Sequence, residues 1–107
     1  MSIKVSLEEL APAVEGLETV AFLLTTSEDG SPHPANVPVT FTDGRFTVSA
    51  GRRSSRNCED RPTVTLLWPN VGDESMSLLV DGVARVVSAD DGVVVIEPTS
   101  AIWHRRP

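Results

Sequence analysis

The chain has 107 residues (11.5 kDa), 40% hydrophobic and 22% charged, which is the make-up of one globular domain over 1–107 rather than a disordered or membrane-spanning chain. Fifteen acids against nine bases give a net charge of −6, and with three Phe, two Trp and no Tyr this excludes a general nucleic-acid surface. The single cysteine, Cys58, excludes an internal disulfide and any multi-cysteine metal site.

No apolar run approaches the roughly 20 residues that span a bilayer. The opening MSIKVSLEEL lacks the apolar core and basic flank of a leader, so a cytoplasmic protein without membrane contact is expected.

The first predicted element is a short helix. Ser6 and Glu9 have the spacing of a capping box, and Leu7, Leu10 and Val14 recur at helical intervals. Pro12 should kink or shorten that helix, and Gly16 should stop it. Strands follow. Val20–Thr26 is an apolar run of strand length, and Ser27–Gly30 is a turn. Val37, Val39 and Phe41 alternate, Thr42-Asp43-Gly44 closes a hairpin, and Phe46, Val48 and Ala50 alternate again. Gly51–Arg61 is polar and reads as a loop with a helical turn or two. Pro62–Trp68 returns to strand, Pro69–Ser75 is a loop, and Met76–Val87 is a long strand bulged at Asp81-Gly82. After the Asp90-Asp91-Gly92 turn, Val93–Ile96 is apolar, with Ala101–Trp103 continuing it beyond Pro98. About six short strands without intervening long helices predict a mainly β fold, a barrel or sandwich. A barrel is favoured because closure removes exposed edges.

Four of the nine basic residues, Arg52, Arg53, Arg56 and Arg61, fall within ten positions. They follow a strand and open the polar segment. Guanidinium forks match phosphate and carboxylate, Gly51 permits close backbone approach, and Ser54 and Ser55 add hydroxyls near a helix start. This is a candidate site for one phosphate. The competing reading is a solvated face balanced by Glu59 and Asp60. Neither a P-loop nor a Gly-x-Gly-x-x-Gly signature is present. His33 and His104 have no third ligand at metal spacing, so no metal site is assigned. Cys58 reads as a small buried residue, and Trp68 as either core or an interface anchor.

The ordered string from Phe22 to Pro69 resembles the pyridoxamine 5′-phosphate oxidase-like family of flavin-binding split β-barrels. The family's hairpin, strand, basic-loop and N-x-x-x-x-P-x-V-x-L-L motifs are similar to Leu24–His33, Val37–Val39, Phe46–Ser49, Gly51–Arg56 and Asn57–Leu67. Ser77–Ala84 and Ile96–Trp103 resemble its later strands, so the resemblance covers about residues 18–104. It implies a six-stranded antiparallel split β-barrel with short helices, forming a homodimer with cofactor sites in grooves between the subunits. Carried over, the FMN phosphate would lie against Ser49, Arg52, Arg53, Ser54 and Arg56. The flavin ring would lie along Asn36–Thr40, including Val37, Pro38 and Val39, and Trp68 would reach the interface.

The chain departs from the family in three places. Ser54 stands where Lys is common. Ala35 and Thr40 replace basic residues of some oxidases. The C-terminal Arg/His substrate motif of true pyridoxamine phosphate oxidases is not recognisable, which argues against vitamin B6 oxidation. The resemblance thus implies an FMN-dependent oxidoreductase acting on a small molecule. The alternatives are a reductase using the deazaflavin F420, and a non-catalytic dimeric binding or stress protein with a vestigial site.

Overall fold

The computed structural model describes residues 2–69 and 76–106. The predicted loop at Pro69–Ser75 therefore lies, beyond Pro69, outside the described residues. The described residues form seven strands and two short helical regions. They are β1 (Ser2–Val5), a 3₁₀ turn (Leu7–Glu9) running into α1 (Leu10–Glu15), β2 (Val20–Thr26), β3 (Pro32–Thr42), β4 (Arg45–Ser49), α2 (Arg52–Asp60), β5 (Thr63–Trp68), β6 (Ser77–Ser88) and β7 (Val93–His104). The sheet runs β1-β7-β4-β3-β2-β5-β6, every registered pairing is antiparallel, and β6 pairs back onto β7. Strands β2 to β7 thus close a six-stranded barrel, and β1 is an extra strand on β7. The structure holds a single copy of the chain and defines no dimer.

Period-2 alternation sends one face of each strand inward. Leu23, Val37, Phe46, Val48, Val64, Leu66, Leu78, Val80, Val94 and Ile96 fill the interior and are at most 2% exposed. Burial of such side chains contributes about 1.5–3 kcal/mol each. The far end is plugged by Leu10 of α1 and by an aromatic group. Phe46 lies 4.6 Å from Phe41 and 5.7 Å from Trp68 between ring centroids.

The β3–β4 hairpin turns on Asp43 (φ 54°) and Gly44 (φ 77°), the two positive φ values that a two-residue type I′ loop requires. At the helical start, the Glu9 carboxylate accepts from the Ser6 N–H (3.2 Å) and hydroxyl (2.8 Å). These two bonds hold Glu9 below the usual carboxylate range.

Two segments differ from the sequence expectations and two bear them out. First, β1 was not anticipated. It is short, and its partner is the other end of the chain, with Ser2 opposite His104. Second, β3 begins at Pro32 rather than Val37. Its registered β4 partners cover only residues 39–42, so Pro32, Pro34 and Pro38 lie where that edge is open and missing N–H groups cost nothing. Third, Gly51–Arg61 contains the short helix expected there, nine residues long. Fourth, β7 passes through Pro98 as one strand, the continuation the sequence indicated. The expected bulge occurs there: Asp81 pairs with Ser100 but Gly82 with Pro98, and the Thr99 hydroxyl donates to the Asp81 carbonyl (3.1 Å).

Candidate functional site at the mouth of the barrel

Chain direction divides the predicted site residues between the two ends of the barrel. Strands β2 and β4 end, and β5 begins, at one end, which α2 covers. The aromatic plug and α1 occupy the other. Helix α2 follows β4 directly, with Gly51 as N-cap in extended geometry. The first helical bond runs from the Ser55 N–H to the Gly51 carbonyl (2.9 Å), so the N–H groups of Arg52, Arg53 and Ser54 precede it. These donors and the positive end of the helix dipole lie at the β4–α2 junction.

The inward face of α2 is small and mostly polar: Ser54, Ser55, Asn57 and Cys58 are all buried. Asn57 joins the helix to the end of β2. Its Nδ2 donates to Thr25 Oγ1 (3.0 Å) and, at 3.5 Å, to Ser27 Oγ, while its Oδ1 accepts from Arg61 (3.2 Å). Arg61 also donates through Nε to the Thr26 carbonyl (2.7 Å), and Arg53 donates to Ser27 Oγ (3.3 Å). Replacing Asn57 by Ala removes bonds inside a buried network, and we expect a loss of about 1–3 kcal/mol. Chemical denaturation of the variant against the parent measures it.

Two arginines have no such duty. Arg52 and Arg56 are exposed and make no hydrogen bond or ion pair among the described residues. Four positions apart on α2, they share one helical face. With Arg53, Asn57, Asp60 and Arg61 they line an open cleft of about 770 Å³ against Ser27, Glu28 and Asp29 of the β2–β3 turn. Asp29 accepts from the Ser31 hydroxyl (2.6 Å) and N–H (3.0 Å). Those bonds, and more weakly the Arg53 charge, hold it below the usual carboxylate range.

Ser49 and Pro38 are exposed on the outer surface. Continuing the Val39–Val48 pairing by one step sets them side by side, next to the start of α2. Val37 and Val39 are buried inward, so at those positions only the backbone faces out. Ser54 is 1% exposed and belongs to the packed side of α2. Trp68 lies away from the arginines, in the far-end plug. It is 5% exposed and its indole N–H donates to the Glu18 carbonyl (3.0 Å). The structure therefore sets Pro38 beside Ser49, gathers Arg52, Arg53 and Arg56 in the cleft, and places Trp68 away from the arginines. The scaffolding role of Asn57 was not read from the sequence, although Asn57 opens one of the motifs quoted above.

Cys58 is 1% exposed, and burial pushes its thiol from 9.0 up to about 11. Below about pH 9 the thiol is neutral whether the chain is folded or not. Between about pH 9 and 11 the unfolded thiol ionises first, so stability should fall as pH rises through that window. Thiol reagents at pH 8 should label Cys58 only after unfolding. Among the described residues, no group of three or more His, Cys, Asp or Glu could hold a metal ion, and no helix is long and apolar enough to cross a membrane.

No protein-family model and no curated protein sequence matches the chain. Solved structures match over nearly its whole length. A putative pyridoxamine 5′-phosphate oxidase from Listeria innocua superposes with TM-score 0.69 at 16% identity, covering 92% of this chain and 98% of that one. The FAD-binding protein from Mycobacterium smegmatis gives 0.67 at 16% identity, covering 98% and 100%. A structure described as an F420 reductase gives 0.65 at 14% identity, covering 83% and 93%. Heme-binding proteins also share the fold. The chain has the split-barrel fold of the pyridoxamine 5′-phosphate oxidase-like proteins, a fold whose neighbours carry flavin, deazaflavin and heme.

Proposed function

We propose that the protein is an FMN-dependent oxidoreductase, working as a homodimer with the cofactor in a groove between subunits. The observation that carries this reading is the juxtaposition of an open β3 edge with the N-terminus of α2. The exposed Ser49 directly precedes the first turn of α2 with its free N–H groups, and Arg52 and Arg56, which have no partner among the described residues, line the cleft on that helix. These residues fit a phosphate-bearing planar cofactor. Arg52, Arg53 and Arg56 would bind its phosphate. The backbone of 36–40, unpaired on the β4 side up to Pro38, would receive the ring. FMN would supply hydride and electron transfer, and the chain would supply binding and orientation.

The outer surface supports the dimer. Leu67, Leu79 and Ile102 are aligned across β5, β6 and β7 and are only half-buried in one copy. Such a contiguous apolar row is the kind of surface a second copy covers. The nearest flavin-type relative of this reading is a reductase using F420. It is favoured by a cleft with four guanidinium groups, more than one phosphate needs, and by the F420 reductase among the structural neighbours.

Titrating the purified protein with FMN and with F420 in parallel, read by quenching of cofactor fluorescence, tests the assignment. Micromolar binding of FMN with a weaker response to F420 supports it, and the reverse preference selects the deazaflavin. Binding of neither leaves the non-catalytic dimer. Light scattering should report twice the chain mass.

A further inference from the structure

A second recess lies beside the start of β2, across β3 from Ser49. It has a volume of about 370 Å³, and its lining includes Leu17, Glu18, Val20, Phe22, Asn36 and Trp68. Its place in the sheet is specific. The register pairs Val20 with Pro38 and Phe22 with Asn36, and Pro38 is the residue set beside Ser49. Ser49, Pro38 and Val20 therefore form one lateral row over three strands. Two strand spacings, about 10 Å, separate its ends. A planar group anchored at the Ser49 end and lying over Pro38 would present its far edge to this recess.

The chemistry of the lining is selective. Asn36 is exposed and its amide makes no hydrogen bond within the described residues. It offers two donors and an acceptor at the edge of an otherwise apolar wall. Glu18 is the only charged lining residue among those described, and it disfavours an anion. We infer that this recess is the substrate pocket and that it takes an uncharged, largely apolar aromatic compound bearing a carbonyl, with Asn36 donating to that carbonyl. The identification of the ligand as a substrate rests on the cofactor reading above, whereas the pocket and its ligand class do not.

The test uses the whole cofactor-free protein and prodan, an uncharged naphthyl ketone whose emission shifts to the blue in apolar surroundings. Saturable micromolar binding is expected. 2-Acetonaphthone should displace the probe, and the anionic 2-naphthoate should be at least about tenfold weaker. Val20→Arg fills and charges the recess from a 42% exposed position and should weaken binding at least about tenfold. Val83→Arg, at a 47% exposed strand position away from the recess, should leave binding unchanged. Asn36→Leu should cost about three- to tenfold. Absence of saturable binding, equal displacement by naphthoate, or insensitivity to Val20→Arg would overturn the inference. FMN titration of the same samples separates the two readings. Prodan bound where FMN is not retains the pocket and removes the cofactor. FMN bound where prodan is not removes the pocket alone.

Discussion

Exchanging Arg52 for Glu should weaken FMN binding by about 3 kcal/mol, roughly a hundredfold, while leaving the unfolding midpoint within a degree or two. A charge-assisted bond to phosphate contributes ~1.5–3 kcal/mol, and the reversed charge adds repulsion at the same place. Stability is spared because Arg52 is exposed and holds nothing among the described residues. The same reversal at Arg53 should cost both binding and some stability, since Arg53 also donates to Ser27. Arg85→Glu, on the outer side of β6, is the control and should change neither. Fluorescence titration at two salt concentrations checks the cause, because a phosphate contact in an open cleft weakens as ionic strength rises. Unchanged affinity in Arg52→Glu would return the arginine cluster to a solvated face.

The largest stability effect is expected at Gly92. It sits at φ +69°, and its carbonyl accepts from the Ala50 N–H at 2.7 Å. A Cβ placed there would lie 2.2 Å from the Ala50 carbonyl oxygen, against backbone that cannot swing aside. Gly92→Ala therefore combines left-handed strain with a backbone clash and should cost about 3 kcal/mol. For a domain of this size that lowers the melting temperature by roughly 10–15 °C. Ala50 leads directly into Gly51 and α2, so the displaced backbone should also misplace Arg52 and reduce FMN affinity. Gly44→Ala, in a hairpin turn with open space around it, should cost only about 1 kcal/mol. Calorimetry on both variants separates strain alone from strain plus clash.

The parts of the fold that were legible in the sequence are those where local pattern and tertiary burial agree. The alternation at Val37, Val39 and Phe41 with the Asp43-Gly44 turn defined the central hairpin. The glycine at Asp81-Gly82 marked a true bulge, where a Cβ would meet the Glu97 carbonyl at 2.6 Å. Helix α2 was legible as a short helical stretch but not in its bounds, because its packed face is Ser54, Ser55, Asn57 and Cys58. That face has no leucine-like residues to produce a hydrophobic period. Strand β1 gave no signal because four residues cannot show an alternation and their partner is at the far end of the chain. Pro32 and Pro34 disguised the start of β3, since a proline is unfavourable in a strand only where its edge is paired.

Within the candidate site, the arginines were visible as a cluster, but their division of labour was not. Arg53 and Arg61 hold the helix and Arg52 and Arg56 do not, a difference set by Ser27, Thr26 and Asn57 in space. The place of Trp68 was equally hidden. Its position beside Pro69 suits a surface anchor or a core residue, and only the closure of the barrel against the Glu18 segment puts it inside.

The two ends of the barrel are fastened by different forces. One is sealed by Leu10, Phe46 and Trp68, so parting it would wet a large apolar area. The other is latched by hydroxyls, an amide and two guanidinium groups, whose partners water can replace at little cost. Undocking of α2 should thus proceed as a small, local excursion while the strands stay zipped, with amide exchange in the helix faster than in the strand centres. A molecule held at that latch could come and go through such openings without the barrel having to unfold.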